Sequence, residues 1–300
     1  MKFAVVVVTY NRLTLLKQVI DGFFNQTSKP DIFIIVNNCS TDNTKEYLDE
    51  LTKTTNFKGL KVINSDKNLG GSGGFNLGTR EAVKLGADWV WASDDDAIPD
   101  IRAVELAKNY IKTFGNEDIS AFCGQVQVEG KIDVEHRKRI KLTPFMVHQV
   151  PVPIEEYKRE YFNLDCISYV GIIMNANSLK KVGYIDSSYF IWHDDYEHCL
   201  RLAKSGQLRC YPKIIIDHKA KQTDYIPLSW KTFYGYRNDL VSLKRHFPKR
   251  YFVVKELRIM QKAICSRDRN TFKLSKHAIA SAKLDKMGVD NIYKPGWKND

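Results

Sequence analysis

Trp89-Val90-Trp91-Ala92-Ser93-Asp94-Asp95-Asp96-Ala97-Ile98-Pro99 sets an apolar run directly before three consecutive carboxylates and a proline. Residues 89–92 have the length and composition of a buried strand, and the acids at its end predict side chains leaving a sheet for a crevice. The plain structural alternative is a solvated turn before a helix starting near Pro99, with Asp96 as its cap. Adjacent acids also suit Mg²⁺ or Mn²⁺, which take carboxylate oxygens and share them with substrate phosphates.

Upstream, residues 3–8 and 32–36 are continuous apolar, β-branched runs of the kind found in strands buried on both faces, and 60–63 adds a third. Helical spacing over 13–24 (Leu13, Leu16, Ile20, Phe23, Phe24), a second helix through Tyr47, Leu48 and Leu51, and a third over 75–85 separate them. Four strands alternating with three helices predict an α/β fold, with a mostly parallel central sheet and helices on both faces. Ligands of such sheets bind beyond the carboxyl ends of the strands, where Thr9-Tyr10-Asn11, Asn37-Asn38-Cys39 and Asp94-Asp95-Asp96 all fall.

Downstream, residues 121–128, 167–174 and 208–216 predict strands, and 194–204 a helix ended by Gly206. Residues 129–165 are polar, basic and proline-containing (Pro144, Pro151, Pro153) and predict a loop. From Leu228 the chain is helical, aromatic and basic, which divides it into a domain over 1–228 and a helical extension over 229–300.

Lysine and arginine outnumber aspartate and glutamate by 46 to 35, a net charge of +11 that points to a polyanionic partner. The absence of zinc-finger spacing and of an RNP-like aromatic motif argues against nucleic acid. Six scattered cysteines without a C-x-x-C pair predict free thiols in a reducing cytosol. The apolar N-terminal run is too short for a signal peptide, and no run of about 18 apolar residues occurs to span a membrane. In the basic extension, Leu257, Ile259, Met260, Ala263 and Ile264 form an apolar stripe. It fits either a helix lying on an anionic membrane, or packing onto the domain or in a homodimer.

Three further stretches carry chemistry. Asn68-Leu69-Gly70-Gly71-Ser72-Gly73-Gly74-Phe75-Asn76 is a glycine-dense loop that lets backbone N–H groups approach a phosphate, although it fits neither the dinucleotide nor the Walker spacing. Trp192-His193-Asp194-Asp195 places two acids at a helix start, either as N-terminal caps or as a base for an alcohol nucleophile, with Trp192 and Tyr189 offering flat faces to a sugar ring. His218 follows an apolar strand, where a lone histidine is ordinarily a core-edge residue.

Taken in order, these motifs resemble the family-2 inverting glycosyltransferases of the GT-A fold, in particular the galactofuranosyltransferase-like and rhamnosyltransferase-like branch, over residues 1–240. The resemblance implies a nucleotide-sugar half over 1–98 and an acceptor half over 99–228. It implies that Thr9, Tyr10, Arg12 and Asn37 contact the nucleotide, and that Asn68, Gly70 and Gly71 border the diphosphate-sugar. Asp94 and Asp96 match the family's D-x-D motif, with Asp95 between them, and His218 matches a histidine that completes a Mn²⁺ or Mg²⁺ site. Asp195 matches the general base with Asp194 beside it, and Trp192, His193 and Gly171 fall on the acceptor side. Two departures stand out: Asn37 replaces a frequent aspartate, and Leu77 stands near a frequent basic residue, whose phosphate role passes to Arg80 or Lys84 or is absent.

The implied reaction moves a hexose from a UDP or dTDP sugar, UDP-galactofuranose ahead of dTDP-rhamnose, to a growing glycan or lipid-linked acceptor. The implied location is the cytoplasm, peripheral to the inner face of the plasma membrane. A sugar nucleotidyltransferase and a non-catalytic nucleotide- or glycan-binding module are the rivals. The first would carry its glycine- and basic-rich loop after the first strand, and the second would need no base.

Overall fold

Strand β1 (Phe3–Thr9) is buried along all seven residues, and its alternate side chains feed two different cores. A computed structural model of the chain describes residues 1–115, 117–219 and 228–297. Phe3, Val5 and Val7 pack with Leu16, Val19, Ile20 and Phe23 of α1 (Leu13–Phe24), whereas Ala4, Val6 and Val8 face the opposite layer. This period-2 partition explains why the strand is apolar without alternation. β2 (Ile32–Asn37), α2 (Thr44–Thr54), β3 (Leu60–Asn64), α3 (Gly70–Lys84) and β4 (Trp89–Asp94) follow, and β4, β1, β2 and β3 pair in parallel in that spatial order. Trp91, fully buried, receives the ring edges of Phe3 and Phe23, a burial that stabilises by about 3 kcal/mol.

The glycine-dense stretch is not a loop. It forms the first two turns of α3, because Cβ atoms at Gly74 and Gly78 would collide with Val8 and Val6; the missing side chains let the helix lie directly on β1. Nor does Pro99 start a helix: it ends the short strand β5 (Ala97–Pro99), and α4 (Ala103–Thr113) begins after Arg102.

The sheet continues through β6 (Ile119–Val128), which takes the short partner β7 (Lys131–Ile132). The segment read as a loop then builds a second, three-stranded sheet from β8 (Arg137–Leu142), β9 (Val147–Pro151) and, past the short β10 (Phe162–Asn163), β11 (Cys166–Ile167). Its basic residues hid these strands, yet Arg137 is fully buried and donates to the carbonyls of Gly124 and Val170 at 2.8 Å, fastening the excursion to the main sheet.

The single strand expected over 167–174 is two, broken at Gly171. β12 (Ile172–Asn175) inserts antiparallel between β4 and β6. After α5 (Ala176–Val182) and α6 (Asp194–Leu202), β13 (Gln207–His218) runs parallel to β6 and antiparallel to β5 and β10. The sheet is therefore mixed α/β with a parallel half, and helices cover both faces. Helices α7 (Trp230–His246), α8 (Lys249–Cys265) and α9 (Arg269–Lys283) pack on one another as the C-terminal segment. All six cysteines are free thiols. No helix among the described residues is long and apolar enough to cross a membrane.

Candidate active site

The three acids leave β4 where its parallel neighbours also end. Asp94 closes β4; Asp95 and Asp96, only 4% and 5% exposed, occupy the turn into β5. Such burial rules out a solvated turn. Antiparallel pairing of Ala97 with His218 brings β13 alongside, and the Lys219 amide donates to the Asp96 carbonyl at 2.8 Å. His218 Nε2 thereby lies 3.3 Å from Asp96 Oδ1.

Arg12, just beyond β1, faces the same acids, its Nη1 at 2.6 Å from Asp96 Oδ2 and 3.3 Å from Asp95 Oδ1. Asp95 also accepts from the Thr9 hydroxyl at 2.7 Å, so the middle acid ties the end of β1 to the end of β4. Burial pushes the Asp94 carboxyl up to about 7, reinforced by its two acidic neighbours. Burial acts the same way on Asp96, but His218 and Arg12 outweigh it and hold that carboxyl below the ordinary range.

A cleft of about 260 Å³ opens beside these acids, and Thr9, Tyr10, Arg12, Asn68, Gly70, Gly71, Asp94 and Asp95 all line it. Gly70 has φ +70°, and a Cβ there would collide with the Phe190 carbonyl, so only glycine allows this wall. Asn37 is absent from the lining: its amide donates to Asn64 Oδ1 at 2.9 Å and its oxygen accepts from the Ser40 amide at 3.1 Å. Its neighbour Asn38 lines the cleft instead and secures the glycine wall, accepting from the Leu69 amide and donating to the Gly70 carbonyl.

Arg80 and Lys84 border a separate cavity with Tyr184 and Lys180 and take no part in this cleft. The additional cation comes from the C-terminal segment, as Trp230, Lys231 and Pro295 complete the wall. Lys231 has no carboxylate partner among the described residues, and burial and Arg12 lower its ammonium pKa. Nothing in the local sequence of these three residues announces that they fold back over the strand ends.

Asp194 and Asp195 open α6, and of the two only Asp195 lines either cavity. Burial and the neighbouring Asp195 push the Asp194 carboxyl up to about 7. Asp195, also raised by burial, borders a smaller cavity of about 90 Å³ with Glu135, His136, Lys138, Gln149, Ser168 and others. His136 connects the two regions, its ring lying edge-on to His218 with centroids 5.0 Å apart. The excursion thus contributes to the site a histidine that its own sequence did not single out. Trp192 and His193 lie in the approach to α6, Trp192 against Gly235; neither lines either cavity. Gly171, at φ +81°, packs beneath the site against Ile216 and Trp91.

Divalent-cation binding can be tested on the donor set itself. Among the described residues no three His, Cys, Asp or Glu side chains form a ready-made metal cluster. Asp96 and His218 nevertheless present a carboxylate–imidazole pair, in which Asp96 Oδ1 faces only His218 Nε2 at 3.3 Å and the buried His218 Nδ1 has no hydrogen-bond partner. One or two protein ligands completed by substrate phosphates is the usual arrangement for a hard cation at a phosphate site, and the pair fits it.

Residues 4–183 match the family model described as Glycosyl transferase family 2. The chain is 27% identical over 202 residues to galactofuranosyltransferase GlfT1 of Mycolicibacterium smegmatis, covering 67% of this chain and 65% of that protein. It therefore spans just under two thirds of the length of this curated relative. Its fold is similar to GalNAc-T7 in complex with UDP, GalNAc and Mn²⁺ (TM-score 0.68, 14% identity, 95% of this chain and 56% of that one). It is also similar to S. aureus TarS 1–349 in complex with UDP-GlcNAc (TM-score 0.62, 14% identity, 96% and 84%).

Proposed function

Because the chain belongs to glycosyl transferase family 2, and is a glycosyltransferase of the GT-A fold, we propose that it moves a hexose from a nucleoside-diphosphate sugar to an acceptor hydroxyl with inversion, using bound Mn²⁺ or Mg²⁺. The β5–β13 register that sets His218 beside Asp96, next to the cleft lined by Thr9, Arg12, Gly70 and Asp94, carries this reading. Asp195 takes the proton of the acceptor hydroxyl, whose oxygen bonds to the anomeric carbon from the face opposite the nucleotide. The bond from that carbon to the diphosphate oxygen breaks, and the diphosphate leaves with the electron pair. Asp96 and His218, with Asp94 beside them, would hold the cation, which stabilises charge on the departing diphosphate. Lys231, in the same cleft and without a carboxylate partner among the described residues, supplies further positive charge there.

The relative named galactofuranosyltransferase GlfT1 favours a galactofuranosyl donor, and UDP-galactofuranose is the one the sequence resemblance implies first. Release of nucleoside diphosphate from UDP-galactofuranose, UDP-galactose, UDP-GlcNAc and dTDP-rhamnose, with Mn²⁺ or EDTA, tests this. The expected result is UDP release from UDP-galactofuranose that EDTA abolishes. Release from dTDP-rhamnose alone would replace the donor assignment, and release indifferent to EDTA would reject the cation.

The acceptor side of the proposal is a lipid-linked glycan at an anionic membrane, with α8 as the contact. Its apolar stripe divides: Ile259 and Ala263 are buried, whereas Leu257 and Ile264 are 64% and 62% exposed on the outer side with Val253. Residues 229–300 hold 17 Lys and Arg against 6 Asp and Glu, so the whole net charge of the chain resides there. Such a surface repels a second copy of itself and attracts anionic lipid. Full-length protein is expected to co-sediment with phosphatidylglycerol vesicles and not with phosphatidylcholine, and L257S/I264S to weaken that binding about tenfold. Equal sedimentation of variant and wild type rejects the contact.

A further inference from the structure

Residues 189–193 lead into α6 through a backbone that their own side chains disfavour. Phe190 sits at φ 66° and ψ −60°, the centre of a γ-turn in which the Ile191 amide donates to the Tyr189 carbonyl at 2.8 Å. Trp192 and His193 follow at φ 64° and 63°. None of the three is glycine, so the conformation requires support from outside the segment.

Two consecutive residues of α7 provide it. The fully buried Asn238 side-chain amide donates to the carbonyls of Tyr189, Ile191 and Trp192, each at 2.9 Å. Arg237, equally enclosed and without a carboxylate partner among the described residues, donates to the Tyr189 carbonyl at 3.2 Å and the Gly288 carbonyl at 2.7 Å. Its Nε donates to Asn238 Oδ1 at 2.9 Å, which fixes the way the amide faces. Arg237 also lies over the Tyr234 ring at 4.8 Å, and Gly235 leaves room for the Trp192 indole, to which a Cβ would come within 3.1 Å.

The supported segment touches both halves of the site. The Phe190 carbonyl accepts from the Ser72 amide at 3.2 Å, and Phe190 and Ile191 line the donor cleft. The next residues in the chain are Asp194 and Asp195. We propose that Arg237 and Asn238 are positioning residues that hold residues 189–193 in the one conformation that both lines the donor cleft, through Phe190 and Ile191, and starts α6 with Asp195 at the smaller cavity. The inference rests on the transferase reading of the Asp194-Asp195 pair, and it places the C-terminal segment within the catalytic unit.

Asn238→Asp in the full chain keeps the size and sets a carboxylate against three carbonyls. Expected are a fall in kcat of about 10²-fold with the donor KM within about threefold, and faster amide hydrogen exchange confined to residues 188–196. Asn238→Ala combined with His193→Gly, which adopts positive φ freely, should recover about tenfold of the loss in Asn238→Ala alone. If Asn238→Asp does not fold, Arg237→Lys is read by the same measurements. Unchanged exchange, a loss shared equally between kcat and KM, or no rescue by His193→Gly overturns the proposal. A wild type that releases no nucleoside diphosphate from any donor sinks the transferase reading and this role with it, whereas an active wild type with unmoved kcat in Asn238→Asp sinks the clamp alone.

Discussion

Asp195→Asn is expected to lower transfer by about 10³-fold while leaving affinity for the nucleoside diphosphate within about twofold. The asymmetry follows from where the side chain sits: Asp195 borders the small cavity beside His136 and Ser168, and the donor cleft is lined by other residues. Asparagine is nearly isosteric and keeps an oxygen for the Tyr196 amide, which donates to Asp195 Oδ1 at 2.7 Å, so the start of α6 should survive. What is lost is the proton acceptor that the proposed mechanism requires. A base works when deprotonated, and burial raises the Asp195 pKa. The rate of transfer should therefore climb with pH along an acid limb displaced above the ordinary carboxylate range, and that limb should vanish in the variant. Asp194→Asn is the control, because Asp194 lines neither the donor cleft nor the smaller cavity. Steady-state kcat and KM, with the product anomer read by NMR, check both variants. A larger loss in Asp194→Asn would move the base to that residue, and a retained anomeric configuration would reject single displacement.

How much of this site can be read in the chain depends on what kind of signal each part leaves. β1, β2 and β4 are legible because a strand buried on both faces must be apolar throughout, and polar residues mark where each buried run ends: Thr9 to Arg12, Asn37 and Asn38, and Asp94 to Asp96. The glycines before Phe75 mislead locally. Their density suggests a flexible loop, but Gly74 and Gly78 serve the close approach of a helix to Val8 and Val6, a requirement set by residues some seventy positions upstream. The second sheet escapes for the opposite reason, since β8 reads Arg137-Lys138-Arg139 and a buried arginine is indistinguishable in sequence from a solvated one. Lys231 and Trp230 leave no local trace of their destination. Their place in the donor wall is a consequence of how α7 docks, and the one available hint is the polar pair Ser229 and Thr232, which forms a capping box and starts the helix there. Asp96 and His218 lie between these cases: each residue is visible, while their meeting is a property of strand register.

That register leads to the second large effect. Asp96→Ala and His218→Ala are each expected to reduce transfer about 10³-fold, the several kcal/mol of charge stabilisation that a bound cation supplies at a leaving diphosphate. Both side chains are nearly enclosed; Asp96 Oδ1 faces His218 Nε2 at 3.3 Å, and the other ring nitrogen, Nδ1, reaches no hydrogen-bond partner. Arg12 remains within 3.3 Å of Asp95 when Asp96 is removed, and Thr9 still donates to Asp95, so the turn between β4 and β5 keeps its anchors. Melting temperature should still fall in Asp96→Ala at neutral pH, because His218 and Arg12 hold the Asp96 carboxyl below its ordinary range and its ionised form stabilises the fold. Titration of UDP by calorimetry separates this reading from a purely structural one. For the wild type, Mn²⁺ should tighten UDP binding; for either variant, UDP should bind about as the wild type does in EDTA, with or without Mn²⁺. Persistence of the Mn²⁺ effect in both variants would place the cation on other residues and return Asp96 and His218 to a structural pair.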